Sequence, residues 1–296
     1  MYYTENTIVY YNGRMQKATE AQVDLYMQTL HYGYGVFEGI RSYQTRYGPR
    51  MFIPKEHYER LIRSCELLHI PFEYTAEQMT HLTYDVLNCN GFTEAYIRPL
   101  VVCGPNMSLT NGHQSFLFIG AWEWKGYLGE KLLRLHSSSL CRPHPRSVKI
   151  EAKTCGHYVN SILAVMEAKQ KGYDEALLLD HEGFLAEGPG ANLFFEKDGK
   201  LFTPSKGHIL PGITRATVIE LCEELGIPCE EGRYLPDRLY NADSAFYCGT
   251  GAEIVGIESV DGKKLAKSWN QSLGKQVQEA YQYLVREQSL QSLSVA

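Results

Sequence analysis

The stretch KIEAKTCGHYVNSILAVMEA, residues 149–168, brings a lysine to the start of a predicted helix. Its second half places apolar residues at helical spacing, namely Val159, Ile162, Leu163 and Met166. Gly172 follows as a typical C-terminal stop. The pattern therefore predicts a helix that begins just after Lys153.

Lys153 can act as a nucleophile if its amine is neutral. The first N–H groups of a helix have no intrahelical partner, and the positive end of the helix dipole disfavours a nearby cation. A lysine amine held in the neutral form can attack a carbonyl and form a Schiff base. Taken alone, a lysine at this position is most simply a surface residue, so its role depends on the motifs that accompany it.

Length and charge restrict the class of protein. The 296 residues, of which 44% are hydrophobic and 21% charged, can bury a large core and favour two domains. The formal net charge of -5, without runs of like charge, argues against a nucleic-acid or membrane surface. No histidine spacing such as HExxH predicts a metal site. We therefore expect a small soluble substrate.

The cysteines indicate a reducing compartment. The 8 cysteines lie at wide, irregular spacings without a CxxC pair, and the N-terminus does not resemble a signal peptide. No apolar run is long enough to span a bilayer. These features predict a cytoplasmic protein with free thiols.

The first half of the chain shows hairpin, helix and pocket signals. Residues 7–16 resemble a β-hairpin, and residues 31–43 combine glycines with aromatic side chains that could wall a pocket or simply form a core strand. Residues 55–70 form an amphipathic pattern that carries Arg60, ordinarily a solvated cation, and residues 75–78 form a capping box for a second helix.

Tyr96 and Arg98 lie two apart on the predicted strand 94–104 and therefore share a face. An arginine on an apolar strand requires an anionic partner, either a structural carboxylate or a substrate. The polar, glycine-containing stretch 123–131 predicts a linker between a small N-terminal domain, 1–122, and a larger C-terminal domain, 132–296. Helices with mixed strands in both parts predict an α+β or mixed α/β fold.

Three glycine-containing loops of the second half could each bind a charged group of a ligand. Glu187 precedes a glycine-rich turn in AEGPGANLF and could hold the protonated nitrogen of a heterocycle, although an exposed turn glutamate is the default. Ile213 and Thr214 open a helix in LPGITRAT, where free N–H groups and a hydroxyl could bind an anion or simply cap the helix. Thr250 and Gly251 lie in a turn that could bind a second anion.

Each loop alone is a weak signal, but the combination is specific. A lysine that forms a Schiff base, an acid for a ring nitrogen and a phosphate site at a helix start are what pyridoxal phosphate requires, because its ring must stay protonated to act as an electron sink.

Seven motifs carry a family resemblance over nearly the whole chain: HYGYGVFEGIRSY, HYERL, AYIRPL, KTCGHY, EGPGANLF, LPGITR and GTGAEI. In order and approximate spacing they resemble the fold-type IV pyridoxal-phosphate enzymes, most closely the branched-chain aminotransferases. The resemblance implies the two-domain architecture of the D-amino-acid aminotransferases.

The resemblance also implies roles for individual residues. Lys153 would form the Schiff base with pyridoxal 5'-phosphate and shuttle the substrate α-proton. Tyr158 would bond the ring hydroxyl oxygen, and Glu187 would pair with the pyridine nitrogen. The phosphate would be held by the remaining cofactor-binding residues, Arg60, Ile213, Thr214 and Thr250.

For the substrate, the resemblance implies that Tyr96, Thr250 and Gly251 bind the α-carboxylate and that Arg98 meets the side-chain carboxylate of glutamate. Because one site must also accept leucine-like side chains, the arginine would lie at the rim of an apolar pocket. The pocket residues would be Tyr32, Phe37, Trp124 and Tyr127.

The implied activity is reversible, ping-pong transfer of the amino group from L-leucine, L-isoleucine or L-valine to 2-oxoglutarate by a homodimer or dimer-based oligomer. Alternatives on the same fold are a D-amino-acid aminotransferase and aminodeoxychorismate lyase. A non-catalytic phosphate-binding protein would not need Lys153. KTCGHY departs from the pattern of bacterial relatives at Thr154, Cys155 and His157, which affects fine specificity more than reaction type.

Overall fold

The computed structural model describes residues 2–110, 112, 114–124 and 131–287. The chain forms two compact units: unit 1 contains residues 1–125 and 152–157, and unit 2 contains residues 126–151 and 158–296. The chain thus returns to unit 1 for the short segment that carries Lys153, whereas the sequence pattern predicts this segment within the C-terminal domain. Most of the linker predicted at 123–131 lies outside the described residues.

Unit 1 is built on an antiparallel sheet of seven strands within the described residues, in the order β2-β1-β7-β6-β4-β5, with β3 also paired to β6. The strands are β1 Ile8–Tyr11, β2 Arg14–Lys17, β3 Gly35–Phe37, β4 Ile40–Thr45, β5 Gly48–Met51, β6 Ala95–Cys103 and β7 Ser115–Glu123. Its helices are α1 Gln28–Tyr32, α2 Pro54–Leu67 and α3 Ala76–Asn90.

Local sequence signals explain several of these elements. Asn12 and Gly13 have positive φ angles of 52° and 81°, which suit the two-residue turn between β1 and β2, and confirm the predicted hairpin. The capping box at the start of α3 is also confirmed, since the Thr75 and Gln78 side chains bond each other's backbone N–H.

The unit 1 core forms where α2 and α3 cover the sheet. The predicted apolar face of α2 is buried at Tyr58, Leu61 and Cys65. These side chains pack in one cluster with residues of α3, β4, β6 and β7, including Met79, Val86, Ile40, Ile97 and Ile119. This core fixes α2, and with it Arg60, against the sheet.

Unit 2 contains a mixed sheet of nine strands within its described residues, ordered β10-β9-β8-β15-β14-β11-β12-β13, with β16 paired to β15. An additional β10–β11 pairing closes six of the strands into a ring. The strands are β8 Leu133–Ser137, β9 Glu175–Leu179, β10 Leu185–Glu187, β11 Asn192–Lys197, β12 Lys200–Pro204, β13 Cys229–Gly232, β14 Ser244–Gly249, β15 Glu253–Val260 and β16 Lys263–Lys264.

The helices of unit 2 are α4 Tyr158–Gln170, α5 Ile213–Glu224, α6 Pro236–Tyr240 and α7 Leu273–Glu287. A 3-10 turn, Cys155–His157, precedes α4, so the predicted helix start just after Lys153 is confirmed. Over the described residues, the helices are all too short or too polar to cross a membrane.

The buried face of α4 consists of small residues. Ser161, Ala164 and Ala168 are buried, and the two alanines pack in a cluster with Ala176 and Leu178 of β9. Small side chains let the helix approach the sheet closely. The larger apolar residues at helical spacing face outward, with exposed fractions of 59% for Val159, 57% for Ile162, 48% for Leu163 and 51% for Met166.

Candidate active site

The backbone of Lys153 is held by two neighbours in unit 1. Its N–H donates to Ser64 Oγ at 3.1 Å, and its carbonyl accepts from the Phe37 N–H at 3.1 Å. A bridge between Val36 and Thr154 extends the pairing with β3. The Lys153 Nζ lies 5.0 Å from the centre of the Phe37 ring. The amine is therefore placed on an aromatic face by β3.

Arg98 lies on the same aromatic surface. Its guanidinium carbon is 4.5 Å from the centre of the Phe37 ring and 5.4 Å from that of Tyr96, and Nη2 donates to Tyr96 Oη at 3.1 Å. Phe37 is thus shared by Arg98 and Lys153. Tyr96 and Arg98 share a face of β6, as the sequence predicts.

The aromatic surface continues past Tyr96. Ring centroids of Trp122 and Trp124 lie 5.1 and 5.2 Å from that of Tyr96. A Cβ atom on Gly39 would lie 2.0 Å from Tyr96 Oη, so only glycine fits beside this tyrosine. The surface joins Phe37, Tyr96, Arg98 and Trp124 of the predicted substrate residues.

The other two predicted pocket residues are Tyr32 and Tyr127. Tyr32 is 45% exposed, and its hydroxyl donates to the Met107 carbonyl at 3.1 Å. Tyr127 lies outside the described residues. The structure therefore gives Tyr32 a surface position and leaves the prediction for Tyr127 unchanged.

Arg60 pairs with a buried carboxylate. Its Nε donates to Glu38 Oε1 at 2.6 Å and its Nη2 to Glu38 Oε2 at 2.9 Å, while His57 Nδ1 lies 2.8 Å from Oε2. Glu38 is fully buried. Burial raises the pKa of Glu38, but Arg60 and His57 more than offset that effect and hold the pKa well below its usual range. The bidentate pair therefore fixes the plane of the Arg60 guanidinium.

His57 completes this cluster. Burial lowers the pKa of His57, although its contact with Glu38 acts in the opposite direction. Because the Glu38 carboxylate accepts, His57 Nδ1 is the donor of this hydrogen bond. We infer that Glu38 and His57 orient Arg60, which sequence reasoning treated without a partner.

In unit 2, Glu187 is buried at the end of β10, with 4% exposure. The Asn192 Nδ2 donates to Glu187 Oε2 at 2.9 Å, and the Leu210 N–H donates to Oε1 at 3.1 Å. Arg142 Nε lies 2.9 Å from Oε1, but its N–H is not aligned for a hydrogen bond, so the contact is an ion pair. The default expectation of an exposed turn glutamate does not apply.

The helix start at α5 lies against this acid. Gly212 has an extended backbone and precedes Ile213, the first residue of α5, and Thr214 is buried. A Cβ atom on Gly212 would lie 1.9 Å from Asn192 Oδ1. Asn192 therefore contacts both Glu187 and Gly212, the residue just before the helix.

The turn that contains Thr250 and Gly251 lies next to the glycine-rich turn that follows Glu187. Thr250 and Gly251 connect β14 to β15, and β14 pairs with β11 so that Cys248 is opposite Asn192. A Cβ atom on Gly249 would lie 3.2 Å from the Gly190 carbonyl. The three loops that carry Glu187, Thr214 and Thr250 thus converge at one end of the unit 2 sheet.

Tyr158 is the first residue of α4 and is half-buried. One turn later, Ser161 Oγ donates to the Pro189 carbonyl at 2.7 Å. The start of α4 is thereby tied to the turn that follows Glu187.

Sequence reasoning missed the groups that support the predicted residues: Glu38, His57, Arg142, Asn192 and Trp122. Glu38, His57 and Asn192 lie inside the motifs HYGYGVFEGIRSY, HYERL and EGPGANLF, so their polar side chains are visible in the sequence. No local pattern links Arg142 to Glu187, because the two are distant in sequence.

The chain matches the protein family described as Amino-transferase class IV over residues 35–260. It is 38% identical over 284 residues to the branched-chain-amino-acid aminotransferase of Pseudomonas aeruginosa, covering 94% of this chain and 92% of that protein.

Two solved structures are similar over almost the whole chain. The branched-chain aminotransferase of Thermoproteus uzoniensis with norvaline has a TM-score of 0.92 at 37% identity and covers 97% of each chain. The branched-chain amino acid aminotransferase of Thermobaculum terrenum in its PLP-form, the holo-form, has a TM-score of 0.91 at 33% identity and also covers 97% of each chain.

Proposed function

This chain belongs to the amino-transferase class IV family, and from that membership we propose that it exchanges the amino group between L-leucine, L-isoleucine or L-valine and 2-oxoglutarate. It is a pyridoxal-phosphate-dependent transaminase. The predicted family and the mixed α/β, fold-type IV architecture are confirmed by the family match and by the similar structures.

The observation that carries the substrate assignment is the packing of Arg98 on Phe37 and Tyr96. Aromatic rings offer an apolar surface to a branched side chain. The guanidinium held on those rings offers a cation to the side-chain carboxylate of glutamate. One surface can therefore accept two substrates of opposite character.

Donor groups of unit 2 suit pyridoxal 5'-phosphate. Glu187 is a buried carboxylate for a ring nitrogen, and the start of α5 with Thr214 and the Thr250 turn suit a phosphate. Lys153 supplies a primary amine. When bound, this cofactor provides an electron sink that stabilises negative charge at the substrate Cα.

The chain's own residues then have distinct tasks. The Lys153 amine moves a proton to and from the substrate Cα, since a neutral lysine can act as a general base. Arg60, oriented by Glu38, binds the phosphate, and the Tyr158 hydroxyl bonds the ring hydroxyl oxygen. Ile213 contributes its backbone N–H at the helix start.

Other residues orient the substrate. The family resemblance assigns the α-carboxylate to Tyr96, Thr250 and Gly251, and the substrate side chain to Phe37 and Arg98. Because the side chains of both substrates use the same surface, the two substrates bind in turn, which suits a ping-pong sequence.

The test is the visible spectrum of the purified protein, recorded with L-leucine, with D-leucine or with D-alanine, and without any keto acid. Bleaching of a yellow protein by L-leucine alone supports the proposal. Bleaching by the D-amino acids only would identify a D-amino-acid aminotransferase, and pyruvate release from aminodeoxychorismate would identify the lyase. A protein that stays colourless with added pyridoxal phosphate would refute the cofactor assignment.

We further propose that two copies of this chain form a dimer, alone or within a larger oligomer. The outward-facing residues Val159, Ile162, Leu163 and Met166 form an apolar stripe along α4. Unit 1 exposes a second apolar set, Leu25, Tyr26, Leu30, Met107 and Leu109. Contiguous exposed apolar side chains are typical of protein interfaces, so a second copy is the occupant we assign.

A cytoplasmic location is also proposed. All 8 cysteines are free thiols, and each of them lies within the described residues. Free thiols are typical of a reducing compartment. Fractionation of cells that make the tagged full chain tests this location.

A further inference from the structure

A buried arginine faces the acid that is assigned to the cofactor ring. Arg142 and Glu187 are 7% and 4% exposed, and Arg142 Nε lies 2.9 Å from Glu187 Oε1. The arginine backbone is fixed as well, because its N–H donates to the Leu179 carbonyl of β9 at 2.8 Å. Both charges are therefore held in place by unit 2.

The ion pair decides where a shared proton is most stable. A buried carboxylate beside an uncharged pyridine tends to take the proton, because a neutral pair costs less desolvation than an ion pair. A fixed guanidinium next to the carboxylate favours its anionic form. The proton then resides on the ring nitrogen, where it strengthens the electron sink.

Asn192 also helps to orient the Glu187 carboxylate. Its Nδ2 donates to Glu187 Oε2 at 2.9 Å and to the Leu210 carbonyl at 3.1 Å. The Leu210 N–H donates a hydrogen bond to Glu187 Oε1 at 3.1 Å. Donors to both oxygens fix the plane of the carboxylate.

We propose that Arg142 is a positioning residue that keeps the proton shared by Glu187 and the cofactor ring on the ring nitrogen. This inference rests on the proposed function for its cofactor. It assigns to Arg142 an effect on protonation that is separate from holding the fold together.

The experiment measures the ring nitrogen directly. The Arg142→Gln, Arg142→Met and Arg142→Lys variants are reconstituted with pyridoxal phosphate labelled with 15N in the ring, and the 15N chemical shift is recorded at neutral pH. We expect the shift of a protonated pyridine nitrogen in the unaltered protein. In Arg142→Gln and Arg142→Met it should move toward the shift of an unprotonated nitrogen, and Arg142→Lys should restore most of the difference.

The kinetic expectation is a fall in kcat for L-leucine of about 10- to 100-fold in Arg142→Gln, by analogy with groups that orient the ligands of metal sites, with a much smaller change in KM. Arg233→Gln is the matched control, because Arg233 pairs with Asp180 and Glu182 in the same unit but is itself 41% exposed. It should leave both the shift and kcat unchanged.

An unchanged 15N shift in folded Arg142→Gln with bound cofactor would overturn the proposal. Thermal unfolding of the apo variants identifies any that fail to fold. An unprotonated ring nitrogen in the unaltered protein at neutral pH would also contradict the proposal. The NMR measurement requires only cofactor binding. A failure of the proposal for Arg142 can therefore be distinguished from a failure of L-leucine to react, which would contradict the proposed function.

Discussion

At Lys153 the proposed proton transfer depends on a single amine. Lys153→Ala removes it, and we expect kcat for L-leucine and 2-oxoglutarate to fall by about a thousandfold or more, near the upper range for loss of a general base. Initial rates with both substrates measure the effect. Lys149→Ala, at an exposed position of the same segment, should retain normal rates. A Lys153→Ala enzyme with a tenth of the normal rate would contradict the mechanism.

Arg98 should matter for one substrate more than for the other. In Arg98→Met the side-chain carboxylate of 2-oxoglutarate loses its cation, and hydrogen bonds to charged groups contribute about 1.5–3 kcal/mol. We therefore expect KM for 2-oxoglutarate to rise by about 10- to 100-fold, with little change for L-leucine. Separate half-reactions followed by absorbance measure both.

The matched control for this substitution is Arg46→Met. Arg46 also lies over an aromatic ring, 4.9 Å from the centre of Tyr47, but it is exposed at the edge of unit 1. Equal losses for both substrates in Arg98→Met would show that the arginine supports the fold rather than glutamate recognition.

The residues with chemistry of their own stand out in the sequence, whereas their pairing with other residues does not. Lys153, Glu187 and Arg98 stand out because an amine, an acid and an arginine in apolar or glycine-rich surroundings are unusual. The contacts of Glu187 with Arg142 and of Arg60 with Glu38 join residues far apart in sequence. Such pairs depend on how strands and helices pack, which local patterns do not specify.

Among the elements, the start of α5 depends on the size of one residue. Gly212→Ala would place a Cβ atom 1.9 Å from Asn192 Oδ1, so Asn192 must move away from Glu187. Forcing an atom into a packed site costs about 1–3 kcal/mol. We expect a lower free energy of unfolding and weaker pyridoxal phosphate binding, measured by denaturant titration and by fluorescence titration.

Gly190→Ala provides the comparison for this prediction. It lies in the neighbouring GPGAN turn, and a Cβ atom there would meet nothing within 4 Å. Its stability and cofactor affinity should remain close to those of the unaltered protein. If Gly212→Ala behaves in the same way, the contact between the helix start and Asn192 contributes nothing measurable to the free energy of unfolding or to cofactor binding.

Helix α4 shows what periodicity does and does not reveal. The spacing of Val159, Ile162 and Met166 predicts a helix, and the helix is present. The same spacing does not identify the buried face, because Ser161 and Ala164 pack against the sheet while the larger residues are exposed. Apolar side chains at helical spacing therefore suit a fold core and a protein interface equally well.

At the scale of the whole molecule, the division into units separates residues that are close in sequence. Lys153 belongs to unit 1, through its pairing with β3, and Tyr158 belongs to unit 2. The sequence pattern predicts that both lie in the C-terminal domain, 132–296. A division by composition follows the chain in order, so it cannot detect a short segment that returns to an earlier sheet.

The proposed dimer makes the apolar stripe of α4 testable. Ile162→Glu places a carboxylate at a position that is 57% exposed in the single chain but would be buried against a second copy. Burying an unpaired charge is costly, so we expect the dimer dissociation constant to rise by at least about tenfold while the chain itself stays folded. Sedimentation velocity over a series of concentrations, with circular dichroism for folding, measures both.

Leu235→Glu is the control for general surface effects, because Leu235 is 54% exposed outside the stripe. Its association should match that of the unaltered protein, since a charge at a position in contact with water costs little. If the unaltered chain sediments as a monomer and is fully active, the dimer proposal is wrong. If Ile162→Glu associates normally, the dimer must use another surface, and the exposed residues around Leu25 and Leu109 of unit 1 become the next positions to change.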